Sequence, residues 1–165
     1  MSLAASLRIV LGITHTKATL LTTLRDVFST TRGVALTDGD GANQADRLYY
    51  EQRTLADGAN ETLDLHDGSL KTSFGDAITF DTLKGIYIKN NSTDAALLIG
   101  GAAATQLGLF ADPGDILRLP PGGEFLFLAP NAAGVSVETN SNLKLTHDGT
   151  GSSNLLYDIM VVGVD

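Results

Sequence analysis

The side chains best suited to acid–base chemistry or metal binding are three histidines and 19 carboxylates, and there is no cysteine. His66 and His147 each stand before an aspartate, in LHD (65–67) and THD (146–148), while His15 stands apart. If the two strands carrying these pairs lie side by side, imidazole and carboxylate could meet on a metal ion. The simpler reading is an exposed His–Asp pair at a strand end before a polar turn, and it is adopted for both. An H-x-H cluster with further ligands, as a metal enzyme on a β-fold needs, is absent. Asp38, Asp40, Asn43 and Asp46 lie in TDGDGANQAD (37–46), a loop dense in oxygen ligands for calcium. Their order departs from the EF-hand pattern, so a solvated loop is expected. No catalytic, cofactor-binding or metal residue is assigned, and no cofactor is expected.

Other catalytic signatures fail for specific reasons. There is no G-x-S-x-G elbow, P-loop or dinucleotide fingerprint. Gly100-Gly101 and Gly122-Gly123 follow apolar segments but open no helix, so no helix N-terminus is available to hold phosphate. Glu61, Asp64 and Asp67 share one segment and could supply a glycosidase pair, but the chain has no tryptophan to stack on a sugar. Asp158 is the charged residue inside an apolar strand. It either faces solvent by alternation or pairs with an arginine such as Arg118. The expectation is a protein that is not an enzyme.

Composition narrows the partners. Net charge is −8 and the isoelectric point about 4.6, which disfavours direct binding to nucleic acid or to an anionic membrane. Hydrophobic residues make up 43%, enough for a real core, while charged residues reach only 18%, below the usual quarter or so. So little charge fits a surface partly covered by a partner. Without cysteine, stability must come from packing or oligomerisation. The opening MSLAASLRIVLGI has an apolar patch too short to span a membrane, and Arg8 interrupts what would be the apolar region of an export signal.

The elements that must position these residues are strands. In ILRLPPGGEFLFLAP (116–130), two apolar runs flank Pro-Pro-Gly-Gly. Proline ends a strand for lack of an N–H and glycine accepts a left-handed φ, so an antiparallel hairpin is expected. FLFL is apolar on both faces, as a central strand would be. Residues 48–55 read as a strand, and 77–80 as a short piece. From Glu61 onward eight strands are expected, at 61–66, 83–90, 95–100, 115–119, 124–129, 134–139, 142–147 and 155–164, with Gly85 at a bulge. Turn signals separate them and no helix is expected. The pattern predicts an all-β fold, a jelly-roll-like antiparallel β-sandwich of residues 36–165 in which the first and last strands pair. An eight-stranded barrel is the rival, and a seven-stranded immunoglobulin-like sandwich ranks third for want of Cys and Trp. Residues 1–35 form an N-terminal extended arm or extra strands. Leu20, Leu21, Leu24, Val27 and Phe28 also fit one face of a helix, but the many threonines favour extended chain. Such an arm is a candidate for docking on a neighbouring subunit.

Segments spread over most of the chain carry a family resemblance: GANQAD (41–46), RTLA (53–56), LDL and GSL (63–65, 68–70), FGDAITF (74–80), LKGIYIKN (83–90), PPGG (120–123), LAP (128–130) and YDIMVVG (157–163). Together they resemble small virion structural proteins of tailed bacteriophages, the capsid decoration or cement class. The resemblance implies a jelly-roll or related β-fold without catalysis. It also implies the major capsid protein as partner, self-association as a homotrimer rather than a dimer, and no nucleic acid or membrane partner. The location implied is the virion, on the capsid exterior, after synthesis in the host cytoplasm. A tail or head-fibre receptor-binding component and a carbohydrate- or ligand-binding β-sandwich are the alternatives.

Overall fold

The structure, a computed structural model, describes residues 2–151 and 153–165. It is all-β. Two long strands, β1 (Ala5–Ala18) and β2 (Thr23–Leu36), pair with each other in unbroken antiparallel register. Among the described residues eleven further strands make the body: β3 (Arg47–Leu55), β4 (Asn60–Asp64), β5 (Leu70–Lys71), β6 (Ala77–Ile78), β7 (Thr82–Asn90), β8 (Leu97–Gly100), β9 (Ile116–Leu119), β10 (Glu124–Leu128), β11 (Val135–Ser136), β12 (Asn142–His147) and β13 (Leu155–Val164). One sheet runs β10-β7-β13-β3, with β11 also on β7; a second runs β4-β12-β8-β9. All their pairings are antiparallel.

The two sheets share one core, which makes the body a two-sheet sandwich. Alternation puts Leu155, Tyr157, Ile159 and Val161 of β13 inward, against Leu143 and Leu145 of β12 and Leu97 and Ile99 of β8. The opposite face of the first sheet is covered at one end only. There Val162, Leu48, Leu126 and Leu128 pack beneath Leu7, Leu36, Ala5 and Val34 at the base of the β1–β2 hairpin.

Three expectations are corrected here. Residues 116–130 are not a hairpin: β9 pairs with β8 in one sheet and β10 with β7 in the other. Pro-Pro-Gly-Gly therefore turns the chain from sheet to sheet, with the Gly123 N–H donating to Pro120 O. The buried Asn90 amide fixes this corner: its two N–H hydrogens are shared among the carbonyls of Ala95, Leu119 and Pro120. Second, FLFL is an edge strand rather than a central one. It is apolar on both faces because Phe125 and Phe127 meet the core while Leu126 and Leu128 meet the hairpin base. Third, only Val135 and Ser136 of the segment 134–139 pair as a strand, and the segment 61–66, first of the eight expected strands, does not pair with the last: β4 lies beside β12 in the second sheet, and the strand beside β13 is β3, upstream of Glu61. The bulge lies next to Gly85. Val162 faces Gly85 and Gly163 faces Leu83, leaving Lys84 as the extra residue.

Candidate functional site

The residues singled out for chemistry are dispersed. β4 and β12 do pair, but antiparallel, so His66 beyond the end of β4 and His147 at the end of β12 lie at opposite ends of the pair. His66 is half-exposed and its Nδ1 lies 2.9 Å from Phe80 O and 3.3 Å from Asp81 Oδ1. His147 is not the exposed residue expected. Its ring is buried, with Nδ1 accepting the Gly149 N–H and Nε2 facing Ser153 O at 3.1 Å. A strand-end position said nothing of this, because the inward phase of β12 carries Leu143 and Leu145 on to residue 147. Among the described residues no group of three or more histidines and carboxylates is placed to hold a metal ion.

In the acidic loop 37–46 two of the three carboxylates, those of Asp38 and Asp46, go to structure. Asp38 Oδ1 accepts the Leu3 N–H, and Asp46 accepts from Arg47 and from the Asp165 N–H. Arg47 also meets Asp165 at 2.7 Å, and the Thr79 hydroxyl holds the Asp165 carboxyl below the usual carboxylate range. Asp64 and Asp67 each accept a backbone N–H two residues on. Asp158 faces away from the core, taking bonds from Asn91 and Gln52 that lower its pKa. Arg118 is not its partner; it pairs with Asp148 at 2.8 Å. The Thr150 hydroxyl is the main reason that the Asp148 carboxyl falls to about 2.

One polar cluster escaped the sequence reading. Arg53 on β3 donates from Nε and Nη2 to Glu61 Oε2 of β4 and from Nη1 to Glu51 Oε2. Tyr157 on β13 donates to Glu61 Oε1 at 2.9 Å, and Tyr49 donates to Glu51 at 2.6 Å. Burial foremost, and then the Glu51 contact, pushes the Tyr49 hydroxyl up to about 12, and burial raises Tyr157 further still. Both tyrosines are thus neutral donors at ordinary pH, and every charged group has an opposite partner. The cluster ties β3 and β13 of one sheet to β4 of the other.

The surface with unmet chemistry is the hairpin. Beyond its base β1 and β2 contact little but each other, and the stretch from Ile9 outward extends roughly 30 Å. The register puts Ile9, Leu11, Ile13, Leu24 and Phe28 on the same face as the buried Leu7 and Leu36. These five residues are each about half exposed and share the face with Arg32 and Thr30 opposite Ile9 and Leu11 and with His15, Asp26 and Lys17 nearer the turn. The turn between the strands carries Leu20 and Leu21, which are 105% and 97% exposed. Thr19 and Thr22 brace that turn through three short bonds, Thr19 donating from N–H and hydroxyl to Thr22 O and Thr22 N–H returning to Thr19 Oγ1. The hairpin is also basic. Arg8, Lys17, Arg25 and Arg32 face Asp26 alone, a net +3, whereas the rest of the chain holds seven basic and 18 acidic residues, a net −11. Counting charge by segment would have exposed this contrast in the sequence.

Fold and site define an all-β, two-sheet antiparallel protein with a projecting basic hairpin. No protein-family model matches the chain, and no curated protein or solved structure matches it.

Proposed function

We propose that this is a non-enzymatic virion structural protein, a decoration protein that binds the outer surface of a capsid and stabilises it by bridging capsomers, as a homotrimer. The observation that carries the reading is the hairpin. An arm of two long strands, with exposed apolar residues along one face and two bare leucines at its tip, is suited to contact with another protein rather than to chemistry. A lattice multiplies such modest contacts, because each copy adds the same weak link at every equivalent position.

The strand order supports the jelly-roll form of this reading. Taken as β3, β4, β7, β8, β9, β10, β12 and β13, eight strands fall into two sheets of four, and the first lies beside the last. The opposed charges around Arg53, which meets both Glu51 and Glu61, support a structural role for that cluster.

The deciding experiment is copy number in purified phage particles, by mass spectrometry with labelled peptides of this chain and of the major capsid protein. A ratio near one, or a simple fraction such as one third or one half, is expected. A handful of copies per particle would place the chain at the tail or a vertex and overturn the reading, as would its absence from particles.

A further inference from the structure

We propose that the hairpin of one copy docks on a second copy of this chain, its Leu20–Leu21 tip entering an apolar cleft between the edge strands β9 and β10. This contact between copies does not rest on the capsid reading, and its test needs only the isolated chain.

The cleft is a gap in the wall of the sandwich. β9 is the edge of one sheet and β10 the edge of the other, and between them Leu117, Phe125 and Phe127 of the core remain partly open to solvent. Leu109, Phe110 and Ile116 complete a cleft of about 420 Å³. Its apolar lining offers two leucine side chains the burial that their own turn denies them. The hairpin does not fill the cleft of its own copy: Leu20 and Leu21 are fully exposed, and Ile116 of the cleft is half exposed.

Charge selects a second copy over a mutual bundle of hairpins. Arms of net +3 repel one another, while a body of net −11 attracts them. The match is local as well. Lys17 and Arg25 lie just behind the tip, and Asp115 lines the cleft beside Asp112. Tip and cleft are different surfaces, so the contact is either exchanged reciprocally across a two-fold axis or repeated head to tail into a ring or a filament.

Sedimentation of the full chain at tens of micromolar is expected to show association that weakens as salt is raised. Leu20→Asp with Leu21→Asp, at fully exposed positions, is expected to weaken it at least tenfold; so is Ile116→Asp, at a half-exposed one. Circular dichroism checks that each variant keeps its fold. The absence of native cysteine permits a second, independent measurement. Full-length Leu21→Cys and Ile116→Cys chains are mixed and mildly oxidised, and the mixed disulfide is expected to exceed either homodimer at least tenfold. A wild-type chain that stays monomeric overturns the proposal. So does association that ignores either charged variant, or a Leu21→Cys homodimer as the main product, which would mean that the hairpins bundle tip to tip.

Discussion

The corner at Pro120–Gly123 hangs on a single side chain, and Asn90→Ala measures how much. The Asn90 side chain is wholly buried. Its amide nitrogen lies 2.9 Å from Ala95 O and 3.1 Å from both Leu119 O and Pro120 O, and its Oδ1 accepts the Ser92 N–H at 2.9 Å. Pro120 O keeps a second partner in the Gly123 N–H, so alanine strands chiefly the other groups. At about 1 kcal/mol for each hydrogen bond lost, with a further contribution from buried groups left without partners, the cost is about 3–4 kcal/mol. Asn90→Asp separates the two halves of the interaction. It retains the acceptor for Ser92 but turns oxygen toward three carbonyls, so it is expected to cost more than alanine, about 5 kcal/mol. Against a total stability of about 5–15 kcal/mol, either loss is plain in urea unfolding of the full chain followed by circular dichroism. Expected is a fall in midpoint with unchanged slope, larger for Asp than for Ala. An alanine cost below about 1 kcal/mol, or aspartate tolerated as well as alanine, would refute the idea that this amide holds the two sheets' connection in place.

Three further perturbations probe the body. Asp148 has its folded pKa depressed to about 2, so its contribution is fully present above its unfolded pKa and fades as pH falls through about 2. Asp148→Asn is therefore expected to lower stability near pH 6 by about 1 kcal/mol, allowing for solvent screening, with the gap from wild type closing toward pH 2 in urea titrations at each pH. Glu61→Gln leaves Tyr157 an acceptor but removes the charge that Arg53 meets through two nitrogens, and is expected to cost about 2 kcal/mol in the same assay. Gly163→Ala would drive a methyl group into Thr82 O and the Phe80 ring at the bulge, and a loss of about 1–3 kcal/mol in thermal or urea unfolding is expected.

Much of the all-β architecture was legible in the sequence because the signal is local. Alternation in NLKLTH (142–147), the continuous apolar run of 155–164, and glycine-rich turns each depend on neighbours along the chain. Partner choice between strands is not local, and there the reading of 116–130 failed. A Pro-Gly turn between two apolar strands is compatible with a hairpin or with a passage between sheets. What distinguishes the two is which strands β9 and β10 pair with, and the contacts of Asn90, some 30 residues upstream, belong to the second arrangement. The same holds for FLFL. Its double apolar character recorded a real second cover, but that cover was the hairpin base on a neighbouring element rather than a flanking strand. Arg53, Glu61 and Tyr157 were invisible as a cluster because they come from three strands whose adjacency is a property of the topology.

The hairpin shows how charge and packing specify one element together. A two-stranded ribbon is marginal by itself in water, so the base packing of Leu7 and Leu36 on Val162 must hold the root in place. Nothing comparable supports the outer ten or so residues of each strand within one copy. Their apolar face would otherwise be a liability, with two free strand edges beside it, yet the sequence keeps Ile9, Leu11, Ile13 and Phe28 in strict phase with the buried base. The polar residues of the hairpin do not fall at random either: four of its five charges are basic on a chain that is otherwise strongly acidic. A segment selected only to remain soluble would share the acidic bias of the body, because like charge keeps copies apart. Opposite charge and exposed apolar residues on the same arm both lower the free energy of contact with an acidic protein surface, and the body of another copy is the acidic surface present at the same concentration as the arm itself.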